Sequence, residues 1–556
     1  MCGFTLRKSV KLEGPLGYLR HRGPDEQSYF SGEGYELEFS RLTITGTIDG
    51  EVPVYSSSKE WLVAFNGEIY NFNSLKESFG LGFTNSDTKV IAEGLEKFGL
   101  QFLKSLRGMY AGIAINTRTK STFVFRDPLG EKPLFYSKTK SQLVISSEFT
   151  ALMKTLNKPF NLNPKAVADY FRFGYVEEPD TFDSEIFAVK RGAVLEIIQD
   201  NNFIEVMALI GYADSEISLD LNELLDVVNK EVTFSTVPTG LALSAGVDST
   251  SILFAMSKYR GPTFIPLILN INREGMSTEA SEAINACKKM GVKPHVIQIP
   301  AGRELLINLK NLAISNDQPH SDPSGLSYLS IFQAAQSCGL KVVLLGHGPD
   351  EMFWGYPWFN SQLQKTQRAL FPRKASTREF WNNPASSKRL LCYLGNSSVG
   401  MDRDFSTDPF LRTDNLWQKY RAELVHSYLS SNGLRQSDRL AMASGVEPRT
   451  PYADSRLYGW AQNRSKHSID TFDKVEFRKA IELGPLEDSR FRAKQGFNSP
   501  MGEWFENTFM RDFVGDNFTI LLKSDIRWRV KPKLEWMSPS EKYKIIMLGA
   551  WISQFN

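Results

Sequence analysis

Three short stretches carry side chains suited to chemistry. The first is the start, Met1-Cys2-Gly3. A thiol at position two is often incidental, but it becomes the first residue if Met1 is removed, a placement that would serve nucleophilic chemistry. The second is LALSAGVDSTS, residues 241–251. An apolar segment ends at Leu243, the small residues Ser244, Ala245 and Gly246 make a turn, and a helix is expected from near Ser249. Small residues let backbone approach an anion, and a helix N-terminus offers unpaired N–H groups and positive dipole. Asp248 is placed to hold magnesium beside phosphates. The stretch is not a GxxxxGK[ST] loop, because no Gly-Lys dipeptide completes one. The third is LLGHGPDEMFWGY, where a strand over 341–345 runs into Gly346, His347, Gly348, Pro349, Asp350 and Glu351. Ligands of open α/β sheets bind outside the carboxyl ends of strands. Asp248 and Asp350 are therefore expected on one rim, as oxygen ligands for a cation that bridges phosphates. An ordinary strand-to-helix turn and two solvated loop carboxylates are the plain alternatives.

Two kinds of element must position these residues. Up to about residue 150 the chain reads as short strands, among them LEFSRLTIT, WLVAFNGEIYNF, KPLFYSK and LVISSE, bounded by Gly, Asn, Asp and Lys turns. One helix, SDTKVIAEGLEKFG, interrupts them, with Ser86 or Asp87 as its cap. The expected fold is stacked antiparallel sheets with a few helices. From about 238 strands alternate with helices, which predicts a doubly wound parallel sheet. The polar QDNNF and acidic ADSEISLDLNELLD segments suggest a linker over 196–235. The predicted domains are then 1–195, 236–510 and a helical tail over 511–556.

Composition narrows the function classes. The 556 residues exceed one ordinary core. A net charge of +2 gives no argument for nucleic acid or a membrane surface. No apolar run reaches the roughly 18 residues that span a bilayer. Four cysteines without a CxxC pair argue against a zinc ribbon or disulfide framework, and a reducing, cytoplasmic setting is the expectation.

The motifs together carry a family resemblance. LSAGVDST resembles the SGGxDS pyrophosphate loop of the ATP pyrophosphatase superfamily. GHGPDEMFWGY, DRLAMASGVEPRTPYAD and KQGFNSPMGEW resemble blocks of glutamine-dependent asparagine synthetases. So do MCG, HRGPDEQ, SRLTITG, FNGEIYNF, SDTKV and FRDPLGEKPLFY, in family order to about residue 505. The resemblance implies an N-terminal-nucleophile glutaminase followed by an ATP- and magnesium-dependent synthetase. Cys2 would attack the glutamine amide with its own α-amine as base, a group that titrates near neutrality. Asn66 and Gly67 would form the oxyanion hole. Arg41 would bind the glutamine α-carboxylate, and Asp87 with Glu68 the α-ammonium. Leu243, Ser244, Gly246, Asp248 and Ser249 would contact ATP and pyrophosphate, and Leu269 and Gly346 would flank adenine and ribose. Asp248 and Asp350 would ligate magnesium, and Lys494 would stabilise charge at the α-phosphate. Arg449 and Asp317 are implied as structural or acceptor-site residues. The partners implied are small molecules: glutamine, ATP and a carboxylate acceptor, by default aspartate. A homodimer is left open.

The chain departs from the family pattern in places. Ala245 replaces the second glycine of SGG, and Pro349 and Pro448 stand where small or aliphatic residues are usual. His347 replaces an acid, Gln318 replaces the glutamate of DEP, and Leu345 replaces a serine. These changes predict weak activity with free aspartate, or another acceptor such as a uronic acid or natural-product acid. A ring-closing synthetase and a non-catalytic member are the other readings. The first is disfavoured by the retained Cys2, Arg41, Asn66 and Asp87, the second by Asp248, Asp350 and Lys494.

Overall fold

A computed structural model describes residues 2–9, 14–32, 34–44, 53–82, 84–213, 215–261, 263–272, 275–357, 416–464, 473–492, 501–526, 528 and 531–555. The N-terminal part is built from β1 (Cys2–Ser9), β2 (Glu26–Gly32), β3 (Tyr35–Arg41), β4 (Val54–Tyr55), β5 (Trp61–Ile69) and β6 (Gly108–Asn116). It continues through β7 (Thr122–Arg126), β8 (Phe135–Lys138), β9 (Gln142–Ser146), β10 (Phe187–Ala188), β11 (Ala193–Ile197) and β12 (Phe203–Ala208). These make two six-stranded sheets, ordered β10-β8-β9-β1-β3-β2 and β12-β11-β7-β6-β5-β4. Every pairing within them is antiparallel. Phe4, Leu6, Leu37 and Phe39 of one sheet pack on Leu62, Ala64, Ile113 and Val124 of the other. Alternation along each strand sends these residues to the shared inner face. The far face of the second sheet is covered by the helix Asp87–Phe98 through Val90, Ile91 and Leu95.

The C-terminal part holds β13 (Thr239–Ala242), β14 (Ile265–Asn270), β15 (His295–Gln298), β16 (Val342–Leu344) and β17 (Glu447–Arg449) in one sheet. All its pairings are parallel, and its order is β15-β14-β13-β16-β17. The order reverses between β13 and β16, so the loops after these two strands open at a switch point, where ligands of such sheets sit. Pro448 is accommodated because β17 is an edge strand, which leaves no ladder bond to lose. Pro349 opens the short helix Pro349–Met352, where its missing N–H costs nothing. Helices Thr508–Lys523 and Pro539–Ile552 form the tail and pack with Gly302–Ser315.

The expected linker over 196–235 needs correction. Ile197 still belongs to β11, β12 follows, and Leu221–Thr233 is a helix whose Leu224, Leu225 and Val228 enter the core of the C-terminal part. QDNNF is thus the turn of a hairpin, and hairpin turns and linkers share a polar composition. The two parts also share cores: Phe149, Leu152 and Tyr170 pack with Leu309, Leu312 and Trp551. Among the described residues no helix is long and apolar enough to cross a membrane, and Cys2, Cys287 and Cys338 are free thiols.

Candidate active sites

The first site forms where the start of β1 meets β5 of the facing sheet. Cys2 is half-buried and lies opposite Arg41 in the β1–β3 ladder. Its backbone N–H donates to Asn66 Oδ1 at 3.3 Å. The same amide leaves Asn66 Nδ2 buried with no hydrogen-bond partner. A buried donor without an acceptor is costly unless a ligand supplies one. Gly67 follows with φ +150°, and a Cβ there would fall 2.0 Å from the Met109 carbonyl oxygen. Only glycine fits, so Asn66 is held at a fixed point of the β5–β6 ladder. Burial pushes the Cys2 thiol up, while Arg41 among other groups pulls it down.

Asp87 is the first residue of the helix Asp87–Phe98, and Ser86 is the cap, accepting from Lys89 N–H. The Asp87 carboxylate accepts from Ile69 N–H at 3.2 Å and Thr88 N–H at 2.7 Å, and burial raises its pKa. Arg41 pairs with Glu26 at 3.2 Å. Glu68 is buried and faces Arg449 of β17 at 3.5 Å. Arg449 is thereby placed as a bridge: it also pairs with Glu447 and donates to the carbonyls of Val232 and Phe234. Asp317 is structural. It caps the helix Phe149–Leu156 by accepting from Phe149 N–H and Thr150 N–H, and it pairs with Arg439.

The second site is a cavity of about 260 Å³ at the switch point. Ser244, Gly246, Asp248, Ser249, Gly346, His347 and Asp350 line it, so the two loops do meet. The helix begins at Val247, two residues earlier than expected, with Gly246 as its cap. Ser249 Oγ ties the turn together, accepting from Ser244 N–H at 3.1 Å, while Gly246 N–H donates to Ser244 Oγ at 3.1 Å. A Cβ on Gly346 would lie 3.2 Å from Asp248 Cβ and from Ser249 N, which measures how closely the loops approach. Ala245 has no positive φ, so its methyl group strains nothing, and its carbonyl accepts from Arg492 at 3.1 Å. Leu243 and Leu269 stand apart. Their side chains are buried in the core, so any nucleotide contact they make is through backbone. Lys494 lies outside the described residues.

The carboxylates hold a residue that sequence reasoning missed. Lys474 Nζ lies 2.9 and 2.6 Å from the two oxygens of Asp248 and 2.9 Å from Asp350 Oδ1. Burial opposes the charge, but Asp248 and Asp350 outweigh it and hold the ammonium cationic. The two carboxylates therefore converge on a cation-sized point, which fits a divalent ion bridging phosphates, with the remaining positions left to phosphate and water. No local pattern marks Lys474, because its partners are 226 and 124 positions away (474 − 248 and 474 − 350). Glu279, on the helix Thr278–Lys289, also lines the cavity. Burial pushes its carboxyl up to about 7, with a backbone hydrogen bond from Ala245 pulling the other way.

On the other wall His347 Nε2 lies 2.9 Å from Ser437 Oγ, and its ring centroid is 5.4 Å from that of Tyr328. Asp322 accepts from Asn432 Nδ2 at 2.9 Å, and Glu351 accepts from Tyr356 at 2.6 Å. Gln318 is not in this pocket, contrary to expectation: it is buried between the two parts and its Oε1 accepts from Phe182 N–H at 3.1 Å.

Sequence comparison divides the chain between two families. The family described as "Glutamine amidotransferase domain" matches residues 1–206, and "Asparagine synthase" matches residues 220–527. A Bacillus subtilis protein named asparagine synthetase [glutamine-hydrolyzing] 1 is 26% identical over 538 residues, covering 88% of this chain and 83% of its own. A Mycobacterium tuberculosis putative asparagine synthetase [glutamine-hydrolyzing] is 26% identical over 548 residues, covering 87% and 83%. Escherichia coli asparagine synthetase B [glutamine-hydrolyzing] is 27% identical over 365 residues, covering 62% and 60%. With an antiparallel glutaminase-type half, a switch-point cavity in the other half and both family matches in order, the chain belongs to the asparagine synthase family.

Proposed function

We propose that the protein makes an amide from a carboxylate, using ATP and the side-chain nitrogen of glutamine, in a cytoplasmic setting. The observation that carries this reading is the orphaned Asn66 Nδ2 beside Cys2, in one chain with two carboxylates converging beside the LSAGVDS turn. After Met1 is removed, the Cys2 α-amine takes the thiol proton and the thiolate attacks the glutamine δ-carbonyl. Asn66 Nδ2 and Gly67 N–H receive the developing oxyanion. The C–N bond breaks, the amine carries the proton to the leaving ammonia, and water cleaves the thioester to glutamate. Arg41 holds the substrate α-carboxylate, and Asp87 with Glu68 the α-ammonium.

In the second site an acceptor carboxylate oxygen attacks the α-phosphorus of ATP and pyrophosphate leaves. Ammonia then attacks the acyl carbon and AMP leaves. Asp248 and Asp350 would hold a magnesium ion, which supplies charge neutralisation on the phosphates. Ser244, Gly246 and Ser249 orient the pyrophosphate, and Lys494 is assigned to the α-phosphate. Aspartate is the default acceptor, as the names of the relatives suggest. His347, set between Tyr328 and Ser437 where an acid stands in the family pattern, favours a second reading with another carboxylate, such as a uronic acid.

The test is to incubate the protein with ATP, magnesium and glutamine, add aspartate or a sugar uronate, and follow pyrophosphate, AMP and glutamate. Equal release of all three with either acid supports the activity and assigns the acceptor. Glutamate release with no pyrophosphate from any carboxylate would overturn it.

A further inference from the structure

Lys474 has a place that the reaction scheme above does not use. Its side chain is 2% exposed, and its ammonium sits at the point shared by Asp248 and Asp350. A magnesium ion bridging the same two carboxylates would need an oxygen from each at roughly 2.0–2.1 Å. That position overlaps the ammonium, so ion and ammonium exclude each other. The root of Lys474 does not move easily. It has φ +58°, its N–H donates to Phe353 O at 3.0 Å, and the Asp473 N–H donates to Trp354 O at 3.0 Å. Phe353 and Trp354 directly follow the Pro349–Met352 helix that carries Asp350. The backbone is thus pinned to the loop that bears one of its own partners. The four-carbon stem is the mobile part, and the cavity that Lys474 lines lies beside it.

We propose that Lys474 is a built-in counter-ion that closes the carboxylate pair while the site is empty and yields it only when a nucleotide arrives. The proposal rests on the reading that Asp248 and Asp350 are the metal ligands. Two carboxylates at one buried point repel unless a cation stands between them. Lys474 supplies that cation. A divalent ion alone must displace an ammonium already held by three carboxylate oxygens. A triphosphate changes the balance, because its oxygens can receive the displaced ammonium. Metal and nucleotide then bind as a coupled pair, each favouring the other by the same factor. Lys474 would be a positioning residue, keeping free magnesium out of an idle site.

Manganese(II) is the probe, counted as metal held on the protein side in equilibrium dialysis of the full chain, with protein-free analogue measured alongside and subtracted. The measurement is made with and without a non-hydrolysable α,β-methylene ATP analogue. Wild type is expected to bind one manganese per chain with the analogue and to bind at least about fivefold more weakly without it, the lower end of ordinary coupling between sites. Lys474→Gln should bind one manganese without nucleotide, and the analogue should then improve its affinity little. Manganese binding to wild type that is equally tight with and without the analogue would overturn the proposal, and so would a folded Lys474→Gln that matches wild type in both arms. If Lys474→Gln does not fold, Lys474→Met, which keeps the apolar stem and removes the charge, takes its place in both arms with the same expected and overturning results. Asp248→Asn/Asp350→Asn separates the readings: if it still binds one manganese with the analogue, the assignment of the metal ligands has failed.

Discussion

Asn66 shows what a single side chain contributes. One end of its amide fixes Cys2 and the other end waits for an acceptor. Asn66→Ala should lower kcat for glutamine hydrolysis about 10²–10³-fold, as for other oxyanion donors, and leave KM nearly unchanged because the contact forms only in the transition state. Steady-state glutamate release checks this. Cys2→Ala should abolish glutamate release while ammonium chloride still supports pyrophosphate release in the second site. Glu279 makes a pH prediction. In the unfolded chain it ionises near 4.5, and in the folded protein it keeps its proton to about 7. The folded state binds more protons in between, so this group's contribution to stability falls as pH rises through that window. The same ionisation places a negative charge in the cavity of the phosphate loop. KM for ATP should rise a few-fold from about pH 6 to about pH 8, and Glu279→Gln should flatten that rise.

At the scale of elements, the β5–β6 ladder is what makes the first site rigid. Gly67 and Gly108 both have φ near +150°, and their backbones approach each other's partner strand too closely for any Cβ. Gly67→Ala should cost about 2–4 kcal/mol through strain and collision with Met109 O, seen as a lower unfolding midpoint together with lost glutaminase activity. The FNGEIYN block singled out Asn66 and Gly67 through its family resemblance, and the backbone demand at Gly67 shows why a glycine stands there. The turn at Ser244–Gly246 and the strand-helix alternation that implied the parallel sheet were legible because local backbone demands leave a local trace. The hairpin β11–β12 and the helix Leu221–Thr233 were misread because polar turns and acidic amphipathic helices look like linkers until a partner surface is known. Lys474, Gln318 and Arg449 were illegible or ambiguous for one reason: their roles are set by residues more than a hundred positions away. Side-chain type alone does not report such contacts.

Across the whole molecule, the two sites are joined through one guanidinium. Arg22 is fully buried; its Nε donates to Cys2 O at 3.2 Å, its Nη1 to Glu148 at 3.0 Å and its Nη2 to Asp438 at 3.0 Å. Asp438 belongs to the helix Arg435–Ala443, as does Ser437, which holds His347 in the second cavity. Lys132 pairs with the same Asp438 at 3.1 Å. A hydrogen-bonded path thus runs from the Cys2 carbonyl to His347, and a guanidinium fork spans three separate partners that one ammonium at the end of a shorter stem would have to reach from a single nitrogen. Arg22→Lys keeps the charge but can satisfy at most part of this set. It should lower the unfolding midpoint, since a buried pair that loses a partner costs about 3–5 kcal/mol when fully broken, and less when Lys132 still serves Asp438. The more specific expectation concerns stoichiometry. With the path loosened, Cys2 and His347 are no longer held in a fixed relation, and glutamate should be released in excess of pyrophosphate, whereas the wild type should release the two equally. Ammonium-dependent pyrophosphate release should persist in the same variant, which separates lost coupling from a damaged second site. A ratio that stays at unity while stability falls would make Arg22 a structural residue of the domain interface and nothing more.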